Sequence, residues 1–356
     1  MKIVHIIDSL RIGGAEKLLT DFIKQYKTNY PQDVHYVVTL NNNHSLLPEI
    51  ASCIQEHICL HFKRSEFWKS VRDLKKLLKQ WEVNVIHSHL FYATIVARLA
   101  RRGSSHIRMV TTYHNMEYCS ESPSYSWKLP FIDRLTVSRR NHHAIFVSEP
   151  VANCVTIEVP VITDFSILPN FVSESFHPAY QFKEDNQLKL VAVGNLKAVK
   201  NHLYALKELQ LLNDERVSLD IYGKGDLNEE LQAFITQHSL PAQLKQEAKI
   251  TSELLAGYDA FLMPSISEGM PISLIEAIVT GLPSLLTDLP QLRDTAKDAA
   301  LYFKLNNGEL CHILQQLLND KQRLKTIAAN TANLKEQFDI NRHIEKVRHI
   351  YNPLID

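Results

Sequence analysis

The sequence predicts an α/β protein built from two doubly wound, Rossmann-like halves. Short β-rich runs alternate with amphipathic stretches along the whole chain, the signature of parallel α/β architecture. The pattern restarts at Leu188, and a polar stretch carrying Pro169 and Pro178, residues 169–186, separates the two series. At 356 residues the chain is also longer than one hydrophobic core usually serves.

In the first half, residues 2–7 read as a buried strand, followed by a glycine turn and a helix over about 15–26. Residues 34–40, 83–87, 108–113 and 144–148 are further strands. Between them Phe67, Val71, Leu74, Leu78 and Trp81 recur at helical spacing. In the second half, residues 188–193 are a new first strand, followed by a Gly-Asn turn and a helix over about 201–212. Residues 218–222, 260–263 and 283–287 supply later strands. The expected domains are 1–172 and 173–338, with 339–356 a C-terminal helix returning to the first. A ligand is expected in a cleft where the two domains face, at the carboxyl ends of the strands.

Composition bounds the function. The apolar share of 45% and charged share of 22% are ordinary for a globular enzyme. Lys plus Arg equals Asp plus Glu at 39 each, so no global charge points to nucleic acid. The apolar run before Asp8 is too short for a signal peptide, and no window approaches the roughly 20 apolar residues of a membrane span. A cytoplasmic protein is expected. The five cysteines, Cys53, Cys59, Cys119, Cys154 and Cys311, show no paired metal-ligand spacing. They read as buried or idle thiols of a reducing compartment.

The strongest local signal is Ser265-Ile-Ser-Glu-Gly-Met-Pro-Ile-Ser-Leu-Ile-Glu276, which follows the apolar strand 260–263. Gly269 and Pro271 mark a strand-to-helix turn whose backbone N–H groups are open to anions or hydroxyls. Glu268 and Glu276 lie eight apart, one at the turn and the other expected two helical turns down. That separation suits a ligand lying along the helix N-terminus, with a carboxylate at each end.

This segment resembles the E-x7-E motif of retaining glycosyltransferases of family 4, which have the GT-B fold. The resemblance covers nearly the whole chain. Gly13-Gly-Ala-Glu16 is similar to the family's N-terminal glycine loop. His87-Ser-His89 and Thr112-Tyr-His114 resemble its paired histidine segments. Val147-Ser148, Pro169-Asn170, Gly194-Asn-Leu-Lys-Ala-Val-Lys-Asn201 and Tyr222-Gly-Lys-Gly225 follow in the family's order.

The resemblance implies sugar transfer from a nucleotide-sugar, a UDP-sugar ahead of a GDP-sugar, to a glycan or lipid-linked acceptor in surface polysaccharide or glycoconjugate synthesis. It implies His114 beside the transferred sugar and Gly13 and Gly14 against the diphosphate. Lys200 would neutralise charge on the leaving diphosphate. Glu276 would accept from ribose hydroxyls. Glu268, with the backbone of Gly269, Met270, Pro271, Ile272 and Ser273, would position the donor sugar. Glu16, His89 and Gly223 are further candidates. No metal ligand set is expected, because no Asp-x-Asp segment is present and no carboxylate stands at ligand spacing from the histidines. No cofactor is required.

Three features depart from the family pattern. Asn195 stands where many relatives carry arginine, which leaves Lys200 with more of the electrostatic task. Thr287-Asp-Leu-Pro-Gln-Leu-Arg-Asp294 lacks the usual glycines and offers Asp294 where glutamate is common. Residues 241–250 lack the usual apolar strand ending in glycine.

A locally basic helix carries Lys63, Arg64, Lys69, Arg72, Lys75, Lys76 and Lys79 with Phe67, Trp68 and Trp81. It reads first as a solvated face whose aromatics belong to the core. The competing reading is peripheral docking on the inner face of the membrane. Rival functions are a nucleotide-sugar epimerase on the same fold and a non-catalytic sugar-nucleotide binder. A nicotinamide dehydrogenase is disfavoured because Gly223-Lys-Gly225 is followed by Asp-Leu-Asn, not by the remaining glycine spacing of a dinucleotide loop.

Overall fold

The computed structural model describes residues 1–119, 125–138, 140–246 and 248–352. The chain divides into two compact units. The first is Met1–Phe171 together with the C-terminal segment from Asp339, and the second is Val172–Phe338.

The first unit is a parallel sheet of β1 (Lys2–Ile7), β2 (Val34–Thr39), β3 (Glu56–Cys59), β4 (Val85–His89), β5 (Arg108–Tyr113), β6 (His142–Phe146) and β7 (Phe165–Ile167). Its strand order is β3-β2-β1-β4-β5-β6-β7. Its central strands are almost wholly buried, which is why they read as apolar runs without alternation. Helices α1 (Gly14–Asn29), α2 (Leu47–Ile50), α3 (Phe67–Gln80), α4 (Phe91–Arg101), α5 (Lys128–Thr136) and α6 (Glu149–Glu158) connect the strands. In α3 the predicted stripe faces inward: Val71, Leu74 and Leu78 are buried, and Trp81 stacks on Tyr36 with centroids 4.4 Å apart.

The second unit repeats the plan with β8 (Leu188–Val193), β9 (Val217–Tyr222), β10 (Ala242–Lys245), β11 (Ala260–Met263), β12 (Ser284–Thr287) and β13 (Ala300–Phe303). Their order is β10-β9-β8-β11-β12-β13, again parallel. Its helices are α7 (His202–Leu212), α8 (Asn228–Gln237), α9 (Ser252–Ala256), α10 (Ile272–Thr280), α11 (Pro290–Ala296), α12 (Glu309–Asn319) and α13 (Gln322–Thr331). The last helix, α14 (Ile340–Tyr351), is capped by Asp339 and lies on the first unit. There the Tyr351 hydroxyl is 2.7 Å from His87 Nδ1, and Asn341 bonds Gln25 and Asn29 of α1.

Strand order reverses direction once in each unit, between β1 and β4 and between β8 and β11. Loops leaving the carboxyl ends of such a strand pair diverge and leave a crevice between them. This topology brings the Gly13 loop near His89 in the first unit. In the second it brings the Gly194 loop near the Glu268 turn.

Residues 241–250 hold the short β10, Ala-Gln-Leu-Lys, of which only Ala242 is buried and which ends at Lys245, so it is not an apolar strand ending in glycine. One expectation is corrected. The cysteines are not all thiols: Cys119 and Cys154 form a disulfide, and Cys53, Cys59 and Cys311 are free. The pairing follows from topology. β5 and β6 are parallel neighbours, so the segment after β5 and helix α6 after β6 both emerge at the carboxyl ends of the strands. Among the described residues no helix is long and apolar enough to cross a membrane.

Candidate functional site

In the second unit, β11 ends at Met263 and the chain turns through a tightly packed loop. Ser265, Gly269, Met270 and Pro271 are all buried. Helix α10 then starts with Pro271 as its N-cap and no side-chain cap. The first N–H groups of α10 therefore have no partner within the helix, and they carry the positive end of its dipole. Glu276 is buried at 5% exposure, one turn into α10. This corrects the expected two turns: residues 269–271 form a turn, and the helix begins only at Ile272. Gly281, with φ 91°, ends the helix in the left-handed conformation that glycine adopts without strain.

Lys200 comes from the other side of this crevice. It closes a short 3-10 turn, Ala198–Lys200, after β8. Its Nζ lies 2.6 Å from Glu268 Oε1, with side-chain exposures of 20% and 9%. The loops are stitched together by Ile266 N–H donating to the Val199 carbonyl at 2.9 Å. A cation at a helix start needs an anion, and Glu268 supplies it. The Lys200 stem also passes over Gly194, where an added Cβ would touch Lys200 Cε at 3.4 Å.

Gly223 has a steric role. A Cβ there would overlap the Gly194 carbonyl oxygen, while Gly194 N–H donates to the Tyr222 carbonyl at 2.9 Å. The loops after β8 and β9 therefore pack backbone to backbone, which sets the position of Lys200. Asn195 is exposed on this loop.

In the first unit, Gly13 is the N-cap of α1, and Glu16 folds back so closely that any Cβ on Gly13 would strike its carboxylate. Glu16 is buried, sits in the first turn where the helix dipole favours an anion, and pairs with Arg11 at 3.2 Å. Gly14 opens the helix itself. His89 and His114, at the ends of β4 and just after β5, stack with centroids 5.4 Å apart and share a hydrogen bond of 3.1 Å, Nδ1 to Nε2. Burial pushes the His114 imidazole down to about 4 and lowers His89 as well, the latter also because a second positive charge beside His114 is disfavoured. Both are neutral at pH 7, so one ring donates to the other.

The expectation that no histidine ligates metal rested on the lack of a carboxylate partner. The structure instead gathers a third histidine: ring nitrogens of His5, His87 and His89 lie within 4.8 Å of one another. His87 is already held at both nitrogens, by Tyr351 and by Thr112, each at 2.7 Å. A metal would have to displace one of these bonds.

Sequence reading missed three groups. Asp8 accepts from Ala93 N–H at 3.1 Å and so caps α4, and burial raises it to about 6 despite that bond. Burial also raises Glu117, beside His114. Asp294 proves exposed on α11, whereas Gln291 in the first turn of that helix is buried with its Oε1 unbonded.

Known proteins are similar to this chain in sequence and in fold. The model for Glycosyltransferase Family 4 matches residues 12–176, and the model for Glycosyl transferases group 1 matches 174–334. The chain is 24% identical over 326 residues to the UDP-Gal:alpha-D-GlcNAc-diphosphoundecaprenol alpha-1,3-galactosyltransferase of Escherichia coli, covering 84% of this chain and 82% of that one. It is 22% identical to the capsular polysaccharide biosynthesis glycosyltransferase CapH of Staphylococcus aureus, covering 99% and 98%. Its fold superposes on Anabaena HepE, solved in complex with UDP, with a TM-score of 0.80 at 16% identity, over 99% of this chain and 100% of that one.

Proposed function

This chain belongs to the family 4 and group 1 glycosyltransferases and has their GT-B fold, and from that premise we propose a retaining hexosyltransferase with a UDP-sugar donor. The acceptor in this reading is a glycan or a lipid-linked sugar of surface polysaccharide synthesis, met at the inner face of the membrane. The E. coli relative, named for a UDP-galactose donor and a diphosphoundecaprenol acceptor, supports that choice.

The observation that carries the reading is the Lys200–Glu268 pair at the open N-terminus of α10. In the proposal, the donor diphosphate takes over Lys200 and the free N–H groups of α10, which frees Glu268 to accept from sugar hydroxyls. Glu276 holds the ribose. Asn195, exposed and uncharged, leaves Lys200 as the principal neutralising group on its loop. In the first unit taken by itself, the Gly13–Gly14 helix start offers N–H donors to an anion, and His114, neutral at pH 7, can donate to or accept from a hydroxyl. Rate then comes from positioning and charge stabilisation in place, without a covalent intermediate. The leaving phosphate takes the acceptor proton.

The test is a thermal-shift panel of UDP-, GDP- and ADP-sugars, followed by NMR of the product anomer. Selective stabilisation by a UDP-sugar and an anomer matching the donor support the reading. Stabilisation by no nucleotide, or an inverted product, would overturn it.

A further inference from the structure

A cavity in the first unit lies at the opposite end of the strands from His114. It opens near the amino ends of β5 and β6, at Met109 and His142, and encloses about 280 Å³. Arg98, Arg101, Arg102 and Arg140 line it with His142, and no carboxylate is among its lining residues. Arg98 is neutralised by Asp133, with which it forms a buried ion pair. Arg101 is different. It spends its guanidinium on backbone carbonyls of Ile107 and Arg140, and burial together with the Arg108 charge disfavours its charged form. The cavity is therefore a buried-edged positive concavity, which favours an anion.

Helix α5 adjoins this cavity and carries an unusual face. Trp127 just before it, then Phe131 and Leu135, follow at i, i+4 and i+8 and form one stripe. They are 62%, 53% and 62% exposed. Leu135 is both the end of the stripe and part of the cavity wall, and Arg102 reaches across to donate to its carbonyl at 3.3 Å. Lys128 lies on the same helix, with its ammonium 6.0 Å from the Trp127 ring centroid. The basic helix singled out in the sequence differs: in α3, Lys69 lies within 4.0 Å of both Glu66 and Asp73, and the core takes the apolar residues except Trp68.

We infer that α5 and the arginine-lined cavity form a docking site for an anionic phospholipid surface, with the aromatic stripe entering the headgroup boundary and the cavity taking a lipid phosphate. Charge complementarity selects this occupant. An apolar stripe beside an uncompensated arginine concavity suits a phosphate-bearing apolar surface, where each basic side chain and each buried apolar group adds binding. The inference deepens the membrane part of the proposed function. It concerns a surface at the amino ends of the strands, away from the carboxyl ends that carry His89 and His114, so its test needs neither donor nor acceptor.

The experiment is flotation of the full chain with phosphatidylcholine vesicles, with and without phosphatidylglycerol, at low and high salt. Three variants accompany it: R102Q/R140Q, W127S/F131S/L135S, and K69Q/K76Q in α3. Circular dichroism and thermal unfolding confirm that each variant folds. The expected result is salt-sensitive binding to phosphatidylglycerol vesicles only. The first two variants should each weaken it about tenfold or more, and the α3 variant should leave it unchanged. Four results would overturn the inference. These are no vesicle binding, equal binding to neutral vesicles, loss of binding in the α3 variant alone, and stabilisation by inorganic phosphate without vesicle binding. Dimerisation that the W127S/F131S/L135S variant abolishes would also overturn it, since the stripe would then be covered by a second copy. Transfer to a water-soluble acceptor should be the same in R102Q/R140Q as in the wild type.

Discussion

Lys200 Nζ and Glu268 Oε1 lie 2.6 Å apart although 68 positions separate them in sequence. Two loops that diverge from neighbouring strands, β8 and β11, thus meet through an ion pair at the unpartnered end of α10. The pair keeps a largely buried lysine ordered at a helix start that would otherwise repel it.

Lys200→Ala should lower kcat by about 10²- to 10³-fold, the usual cost of removing one group that stabilises developing charge. Glu268→Gln should lower it to a similar degree. Because the two side chains act through each other, the double variant should cost little more than the worse single one. Steady-state kinetics on the four proteins checks this. Fully additive losses would mean that the pair is incidental.

Glu276 sits buried one turn into α10, close to the helix N-terminus but below it. If it holds the ribose, Glu276→Gln should weaken UDP binding by about 10- to 100-fold, the worth of a hydrogen bond to a charged group. Calorimetric titration of UDP reads this directly. Unchanged affinity with normal folding would remove Glu276 from the donor site.

Gly223→Ala places a methyl group against the Gly194 carbonyl oxygen. The two loops must separate, at a cost of about 1–3 kcal/mol for forced overpacking. Urea unfolding should show that loss. UDP binding should fall too, because Lys200 rides on the displaced loop. A variant of normal stability would contradict the backbone contact.

The first unit should lose stability in acid. Burial lowers His35 and His114 from 6.5 to about 4, and lowers His5, His87 and His89 as well. Between pH 6.5 and about 4 the unfolded chain takes up protons that the folded one refuses. Stability is therefore full above 6.5 and falls as pH drops through that window. His35 and His114 alone give a slope of about 2.7 kcal/mol per pH unit. Asp8, raised to about 6, opposes this in part, since its protonated form is the folded one's preference. Urea midpoints at pH 7.5 and pH 5.5 should differ clearly, and equal midpoints would contradict the neutral histidine layer.

The buried central strands were legible because aliphatic, β-branched and aromatic residues dominate them: β1, β5, β8 and β11 stand close to where the sequence puts them. The strands that escaped notice, β3, β7, β10 and β13, lie toward the sheet edges and are half-exposed, so they lack a continuous apolar run. Site residues within one loop, such as Glu268 to Glu276, could be read from turn chemistry. What joins loops could not. The Lys200–Glu268 pair, the Glu16 fold-back over Gly13 and the Cys119–Cys154 disulfide depend on which strands become neighbours. Asp8 was hidden for the same reason, since it caps a helix 85 residues downstream.

The most direct measurement compares UDP and uridine binding to the wild type and to Lys200→Ala by calorimetry. A lysine that neutralises the donor diphosphate should give weaker UDP binding in the variant, by at least about tenfold, with uridine affinity unchanged. Equal UDP affinity in both proteins, or an equal loss for uridine, would contradict that role.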